Sequence, residues 1–158
     1  MRSLIASLAT ALLVASCGGA ATTASPTPTK AAATPSPTPT AAPTIVAKIA
    51  TDAKLGKILV AAANGMTLYM WAKDTDANSQ CNDQCATFWP PFTVTVANVA
   101  GDGVPTGKFG TSARKDGALQ VTFNSHPLYF YSRDTAPGMT NGNGSTGFGA
   151  VWSVIQIP

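Results

Sequence analysis

The chain of 158 residues contains no glutamate. Seven aspartates are its only acidic side chains, and charged residues of both signs reach 11%, about half the usual share. Glutamate-based acid/base chemistry is therefore excluded. His126 is the single histidine, and so the only side chain that titrates near neutrality without a perturbed pKa. Basic residues are scarce as well: from residue 44 onward eight Lys and Arg stand against seven Asp. No basic patch of the kind that binds nucleic acid is present. No long stretch carries a 3.6-residue apolar period, and the one apolar run near the N-terminus is too short to span a bilayer. A chain of this length has room for one compact domain and modest extras.

The N-terminus is rich where the rest is sparse. Arg2 precedes an apolar stretch from Ser3 to Ser16, the pattern of an export signal. It ends in Val14-Ala15-Ser16-Cys17, which resembles a lipobox, so residues 1–16 read as a lipoprotein signal peptide and Cys17 as the lipidated first residue. Two or more acyl chains anchor stably at about 0.8 kcal/mol per buried methylene. Residues 18–43 hold eight Ala, seven Thr and six Pro with no aromatic side chain. Such a segment buries too little apolar surface to offset its ordering entropy. As an extended, polyproline-like stalk it reaches up to about 80 Å from the membrane.

The folded part is expected over residues 44–158, and it contains a repeat. Asn64, Leu68, Tyr69, Asp74 and Thr75 recur 60 positions later as Asn124, Leu128, Tyr129, Asp134 and Thr135, with Trp71 matched by Tyr131. A repeated unit usually buries its core against its copy. Each copy (about 44–100 and 105–158) opens as a hairpin, Lys57–Ala62 turning at Asn64-Gly65 into Thr67–Ala72, and Ala118–Phe123 turning near Asn124-Ser125 into Pro127–Ser132. Ile45–Ile49, Phe92–Ala97 and Val151–Ile157 are further strand candidates. One short helix is expected near 82–88, stopped by Pro90-Pro91. The expected architecture is all-β, two hairpin-based tandem repeats packed with pseudo-twofold symmetry as a sandwich or small barrel.

Tyr69-Met70-Trp71-Ala72-Lys73-Asp74 and Tyr129-Phe130-Tyr131-Ser132-Arg133-Asp134 both fit Y-x-[FWY]-x-x-D. Together with Cys81-x-x-x-Cys85 leading to Trp89-Pro90-Pro91, and with Asp134-Thr135-Ala136-Pro137-Gly138, they resemble a family of bacterial lipoproteins described as secreted repeats of unknown function. The resemblance covers about residues 55–155. It implies an exported, anchored, tandem-repeat domain and brings no activity with it.

The motif aromatics lie two apart, so Tyr69 and Trp71 share one strand face, as do Tyr129 and Tyr131, with Leu68, Met70, Leu128 and Phe130 on the other. Strands apolar on both faces are usually buried, which makes these rings core residues; the alternative is an exposed platform that stacks on sugars. Asp74 and Asp134 close their strands as Asx-turn residues, and would form a catalytic pair only if the fold joined them. Asp74, Asp76 and Asn78 begin like a calcium loop, but Ser79 and Cys85 stand where glycine and a bidentate glutamate are needed. With Cys17 lipidated, Cys81 and Cys85 form an even pair in an oxidising compartment, consistent with a disulfide if residues 81–85 depart from regular helix. The alternative is a copper site on both thiolates with His126 or one of Met66, Met70 and Met139. Otherwise His126 is a solvated turn residue. Gly142, Gly144 and Gly147 spell G-x-G-x-x-G without the helix and acidic residue that a nucleotide site requires.

These readings converge on an exported lipoprotein anchored on the outer face of the cell membrane, or in the periplasm or outer membrane of a host that has one. Its folded part is a non-enzymatic binding or structural module without a cofactor, facing an unknown envelope or extracellular partner. The alternatives are a copper-handling or thiol-redox lipoprotein using Cys81, Cys85 and His126, and a cell-wall carbohydrate-binding module.

Overall fold

A computed structural model describes residues 41–104 and 108–158. The signal segment, Cys17 and nearly all of the stalk lie outside the described residues. No helix among the described residues is long and apolar enough to cross a membrane.

The architecture is all-β with one short helix. Strand β1 (Thr44–Asp52) turns into β2 (Gly56–Ala61), which pairs with it antiparallel. Asp52 Oδ1 accepts the amides of Lys54 and Leu55 at 2.8 and 2.7 Å, closing that turn. Strand β3 (Tyr69–Trp71) follows, then helix α1 (Gln84–Phe88) and the short β4 (Thr93–Val94). Next come β5 (Val99–Asp102), β6 (Phe109–Ala113), β7 (Leu119–Phe123) and the two-residue β8 (His126–Pro127). A 3-10 turn at Gly147–Gly149 precedes β9 (Trp152–Val154). Three sheets result, in the orders β2-β1-β5, β3-β9 and β4-β7-β6, with β8 added to β7. Isolated bridges join them: Ile58 to Gln156, Val60 to Thr67, and Tyr129 to both Tyr69 and Pro91.

Alternation along the strands sorts side chains into two cores. Leu59 and Ala61 of β2 enter an aliphatic core with Leu68, Leu128, Val121, Phe123 and Ile155, against which Met70 and Phe130 pack. Ile58 and Val60, one residue out of step, enter an aromatic core with Tyr69, Trp71, Trp89, Tyr129 and Trp152. The motif strands thus run between two apolar layers, as residues with a period of two and no polar face must.

Three features depart from the expectation. β5 runs parallel to β1, so the fold is not built from hairpins alone. β5 and β6 escape a pattern reading because glycine interrupts both; a Cβ on Gly101 would stand 2.5 Å from the Phe109 ring, so the glycine exists to admit that ring. The first hairpin turns through four residues, Ala62–Gly65, instead of two: the Gly65 amide donates to Ala61 O at 2.8 Å and Ala61 N to Met66 O at 2.8 Å. In the second, Asn124 and Ser125 take φ of 50° and 62°, the left-handed pair that a two-residue hairpin demands.

Candidate functional site

The two motif segments meet at a bridge between Tyr69 and Tyr129, where the strand expected over Pro127–Ser132 is reduced to β8 and isolated bridges at Tyr129. Tyr69 N donates to Tyr129 O at 2.9 Å, and Tyr129 N returns a bond to Tyr69 O at 3.0 Å. Each motif strand then takes its second neighbour from the other repeat. Tyr69–Trp71 pairs with β9, residue against residue, from Tyr69–Val154 to Trp71–Trp152. Around Tyr129 the corresponding partner is Pro90-Pro91: Phe130 N donates to Pro90 O at 2.8 Å, and Pro91 bridges Tyr129.

The same exchange governs the side chains. The Tyr69 hydroxyl donates to Asp134 Oδ2, and the Tyr129 hydroxyl to Asp74 Oδ2, each at 2.5 Å. The tyrosine and aspartate of one Y-x-[FWY]-x-x-D motif are therefore not partners; each reaches across to the other copy. Both phenols and both carboxylates are buried. Each aspartate uses its second oxygen to hold the loop that follows, Asp74 Oδ1 accepting Gln80 N at 2.7 Å and Asp134 Oδ1 accepting Asn141 N at 3.0 Å. In place of the local Asx-turn expected at each strand end, each carboxylate holds an amide six or seven residues further along the chain. Burial raises the Asp74 carboxyl above its ordinary value, opposed by the bond from Tyr129. Burial, reinforced by the facing carboxylate, pushes both phenols well above the usual tyrosine range.

The third motif position feeds a column of rings. Trp71 stacks on Trp152 at 4.8 Å, Trp152 on Trp89 at 3.9 Å, and Trp89 on Tyr131 at 4.3 Å. Tyr69 meets Trp89 edge-on at 5.4 Å, and Tyr129 meets Trp152 the same way at 5.1 Å. The rings are core, as the alternation implied. The exposed sugar-stacking platform is corrected: Tyr69, Trp71 and Tyr129 are buried and Tyr131 half-buried, so their faces are already occupied by one another.

Cys81 and Cys85 form a disulfide with Cα atoms 5.2 Å apart. Cys81 lies before α1, with Asp83 at φ 50° between them, the departure from regular helix that the bond requires. This corrects the copper alternative. Both thiolates are used in the bond, and His126 joins no cluster of three His, Cys or Asp side chains among the described residues. His126 sits in β8, half-buried, its Nδ1 2.7 Å from Asp74 O. That contact with the loop clamp replaces the expected free surface position. With Met70, Trp71, Thr75 and Ser153 it lines an open, mainly apolar cleft of about 420 Å³.

Sequence reasoning missed Arg114, Gln120 and Ser79. Arg114 Nη1 donates to Gln120 Oε1 at 2.7 Å and to Ser79 Oγ at 3.0 Å, while Nη2 donates to Cys81 O at 3.1 Å. Ser79 Oγ lies 2.7 Å from the Tyr129 hydroxyl. A buried cation thus ties the disulfide loop to one of the crossed pairs, with Asp116 as its ion partner at 3.2 Å. No local pattern marks an arginine that only tertiary contacts bury.

No curated protein and no solved structure matches the chain. A family model described as "Secreted repeat of unknown function" matches it twice, over residues 50–93 and 110–156. The two matches begin 60 residues apart, the spacing of the repeat, and together they span more than half of the chain. Each contains one copy of the motif whose tyrosine and aspartate reach across to the other. The chain belongs to this lipoprotein family of secreted repeats.

Proposed function

We propose that the folded part is a non-enzymatic binding or structural module, displayed outside the cytoplasm by a lipid on Cys17. In this reading the two repeats are related by a pseudo-twofold axis near the Tyr69–Tyr129 contact. The observation that carries it is the commitment of the motif's polar groups to the fold: both aspartates spend one oxygen on a tyrosine and the other on a backbone amide. A carboxylate buried and bonded on both oxygens in this way is out of reach of a substrate proton. What supports the exchange symmetry is that the hydrogen bonds of one half recur in the other, such as Asp74 N to Trp71 O and Asp134 N to Tyr131 O, both at 3.0 Å.

Two measurements test this. The intact mass of the exported chain should show loss of residues 1–16, a diacylglyceryl group on Cys17 and two missing protons at Cys81 and Cys85. An unmodified Cys17 would refute the anchor. Asp74→Asn and Asp134→Asn should lower stability without abolishing any turnover. A hydrolytic activity lost in a variant that remains folded would refute the non-enzymatic reading.

A further inference from the structure

Large apolar side chains are mostly buried in this domain, and half of the exposed ones gather along one edge. Phe88 and Phe148 are 37% and 38% exposed, with ring centroids 5.9 Å apart. Val151, 43% exposed, lies three residues beyond Phe148. The backbone of Phe148 is held at φ 62°, ψ 22°, between Gly147 and Gly149. A bulky residue rarely adopts that conformation, and it persists only where its surroundings hold it. The surroundings here are the column: Trp152 Nε1 donates to Gly147 O at 2.9 Å and Trp71 Nε1 to Ala150 O at 3.3 Å. The loop is pinned at both sides of a phenyl ring that faces water. A core would be better served by burying that ring, so its exposure needs another account.

Both ends of the apolar row are cationic. Ser132 N donates to Phe88 O at 3.0 Å, which places the next residue, exposed Arg133, beside Phe88. Ala72 N donates to Val151 O at 2.9 Å, which places exposed Lys73 beside Val151. Of the carboxylates near these cations in sequence, Asp74 and Asp134 are buried in the crossed pairs, whereas Asp76, three residues after Lys73, is exposed and accepts Asn78 N at 2.7 Å. Lys73 Nζ lies over the Trp71 ring, 5.2 Å from its centroid. Exposed aromatics flanked by two exposed cations match the chemistry of an anionic bilayer surface, where rings enter the headgroup region and cations meet lipid phosphates.

We propose that the edge formed by Lys73, Val151, Phe148, Phe88 and Arg133 docks the domain on an anionic membrane. The proposal rests on the lipid-anchored reading above, and the test separates the two. The full chain carries no free thiol once Cys17 is acylated and Cys81–Cys85 is closed, so Phe148→Cys accepts a single environment-sensitive fluorophore. Val96→Cys, also exposed, serves as the control position. Lipoprotein carrying each label is reconstituted into vesicles of phosphatidylcholine alone or with phosphatidylglycerol. Flotation with the vesicles reports the anchor; failure to float refutes that reading and leaves the docking signal to be read from added vesicles. The expected result is a blue shift at position 148, with quenching by lipid-borne quenchers, in anionic vesicles only and absent at position 96. Lys73→Gln with Arg133→Gln should abolish it. A label at 148 that stays in water while the protein floats would overturn the proposal, and would leave a protein partner for the edge. Equal quenching in neutral vesicles, or quenching untouched by the charge variants, would overturn the anionic assignment.

Discussion

Each half places one tryptophan from its connector, Trp89 or Trp152, in the column, and the two connectors do so by different means. In the first, the connector from Asp74 to Trp89 contains a disulfide and α1, and two prolines follow it. In the second, the connector from Asp134 to Trp152 has no cysteine and is rich in glycine. It is held by hydrogen bonds instead: Asn143 Oδ1 accepts Val154 N at 3.0 Å, Gly144 N donates to Trp152 O at 2.9 Å, and Trp152 N to Ser145 O at 2.8 Å. The difference reaches the strands. Where Ser153 faces Met70 a regular ladder forms as β3-β9. Pro90 facing Phe130 can accept but has no N–H to return, so only bridges remain around Tyr129. What the halves share is the endpoint, a Trp ring and a clamped aspartate, and the route to it is free to vary.

The largest effect should come from removing that shared endpoint. Trp89→Ala and Trp152→Ala each delete a ring stacked on both faces, and losses of about 3–5 kcal/mol are expected for such truncations. Urea unfolding would measure them. If the halves are equivalent at the column, the two losses agree within the error of the extrapolation; a Trp89 loss far smaller than that of Trp152 would show the braced half to be self-supporting.

The crossed pairs come next. Tyr69→Phe removes the phenol donor from Asp134 Oδ2, and Tyr129→Phe does the same to Asp74 Oδ2, at about 1.5–3 kcal/mol each. Double-mutant cycles decide the pairing: Tyr129→Phe with Asp74→Asn should be strongly coupled, whereas Tyr129→Phe with Asp134→Asn should be close to additive. Coupling within one motif in place of coupling across motifs would break the exchange. Cys81→Ser with Cys85→Ser should cost about 2 kcal/mol, the chain-entropy value for so short a loop. Hydrogen exchange would be expected to rise over residues 79–92 and stay unchanged over 140–154; a uniform rise would deny the halves their separate bracing.

Much of this comparison is legible in the sequence. The spacing of 60 located the repeat, the period of two put Tyr69 and Trp71 on one face and Leu68 and Met70 on the other, and Pro90-Pro91 ended the helix. The exchange is not legible, because a motif read along the chain offers Asp74 and Asp134 only their local turns. Nothing local says that Tyr69 bonds Asp134, a contact 65 residues away. Arg114, just beyond β6, and Gln120, within β7, are hidden for the same reason, as polar residues that only tertiary packing closes over. β5 was hidden by Gly101, whose missing side chain weakens the strand pattern while serving the Phe109 ring.

The smallest and most selective test is alkaline titration. Tyr69 and Tyr129 are held above the ordinary phenol value of 10.0 by burial first and by the facing aspartate second. A raised folded pKa contributes stability that is intact below the unfolded value and is lost as pH rises beyond it, at up to about 1.4 kcal/mol per pH unit for each phenol. Stability should therefore hold to about pH 10 and fall steeply above it. Asp74 acts in the same sense at lower pH: the stability from its raised carboxyl is intact below the ordinary value of 3.8 and is lost as pH rises from there through the folded value, so it drives no acid unfolding. Tyrosinate absorbance followed with circular dichroism separates the cases. Both phenols should ionise only with unfolding, and Tyr69→Phe or Tyr129→Phe should each flatten the alkaline limb by a similar amount. A phenol that titrates near pH 10 in the folded protein would place its half of the exchange outside the core.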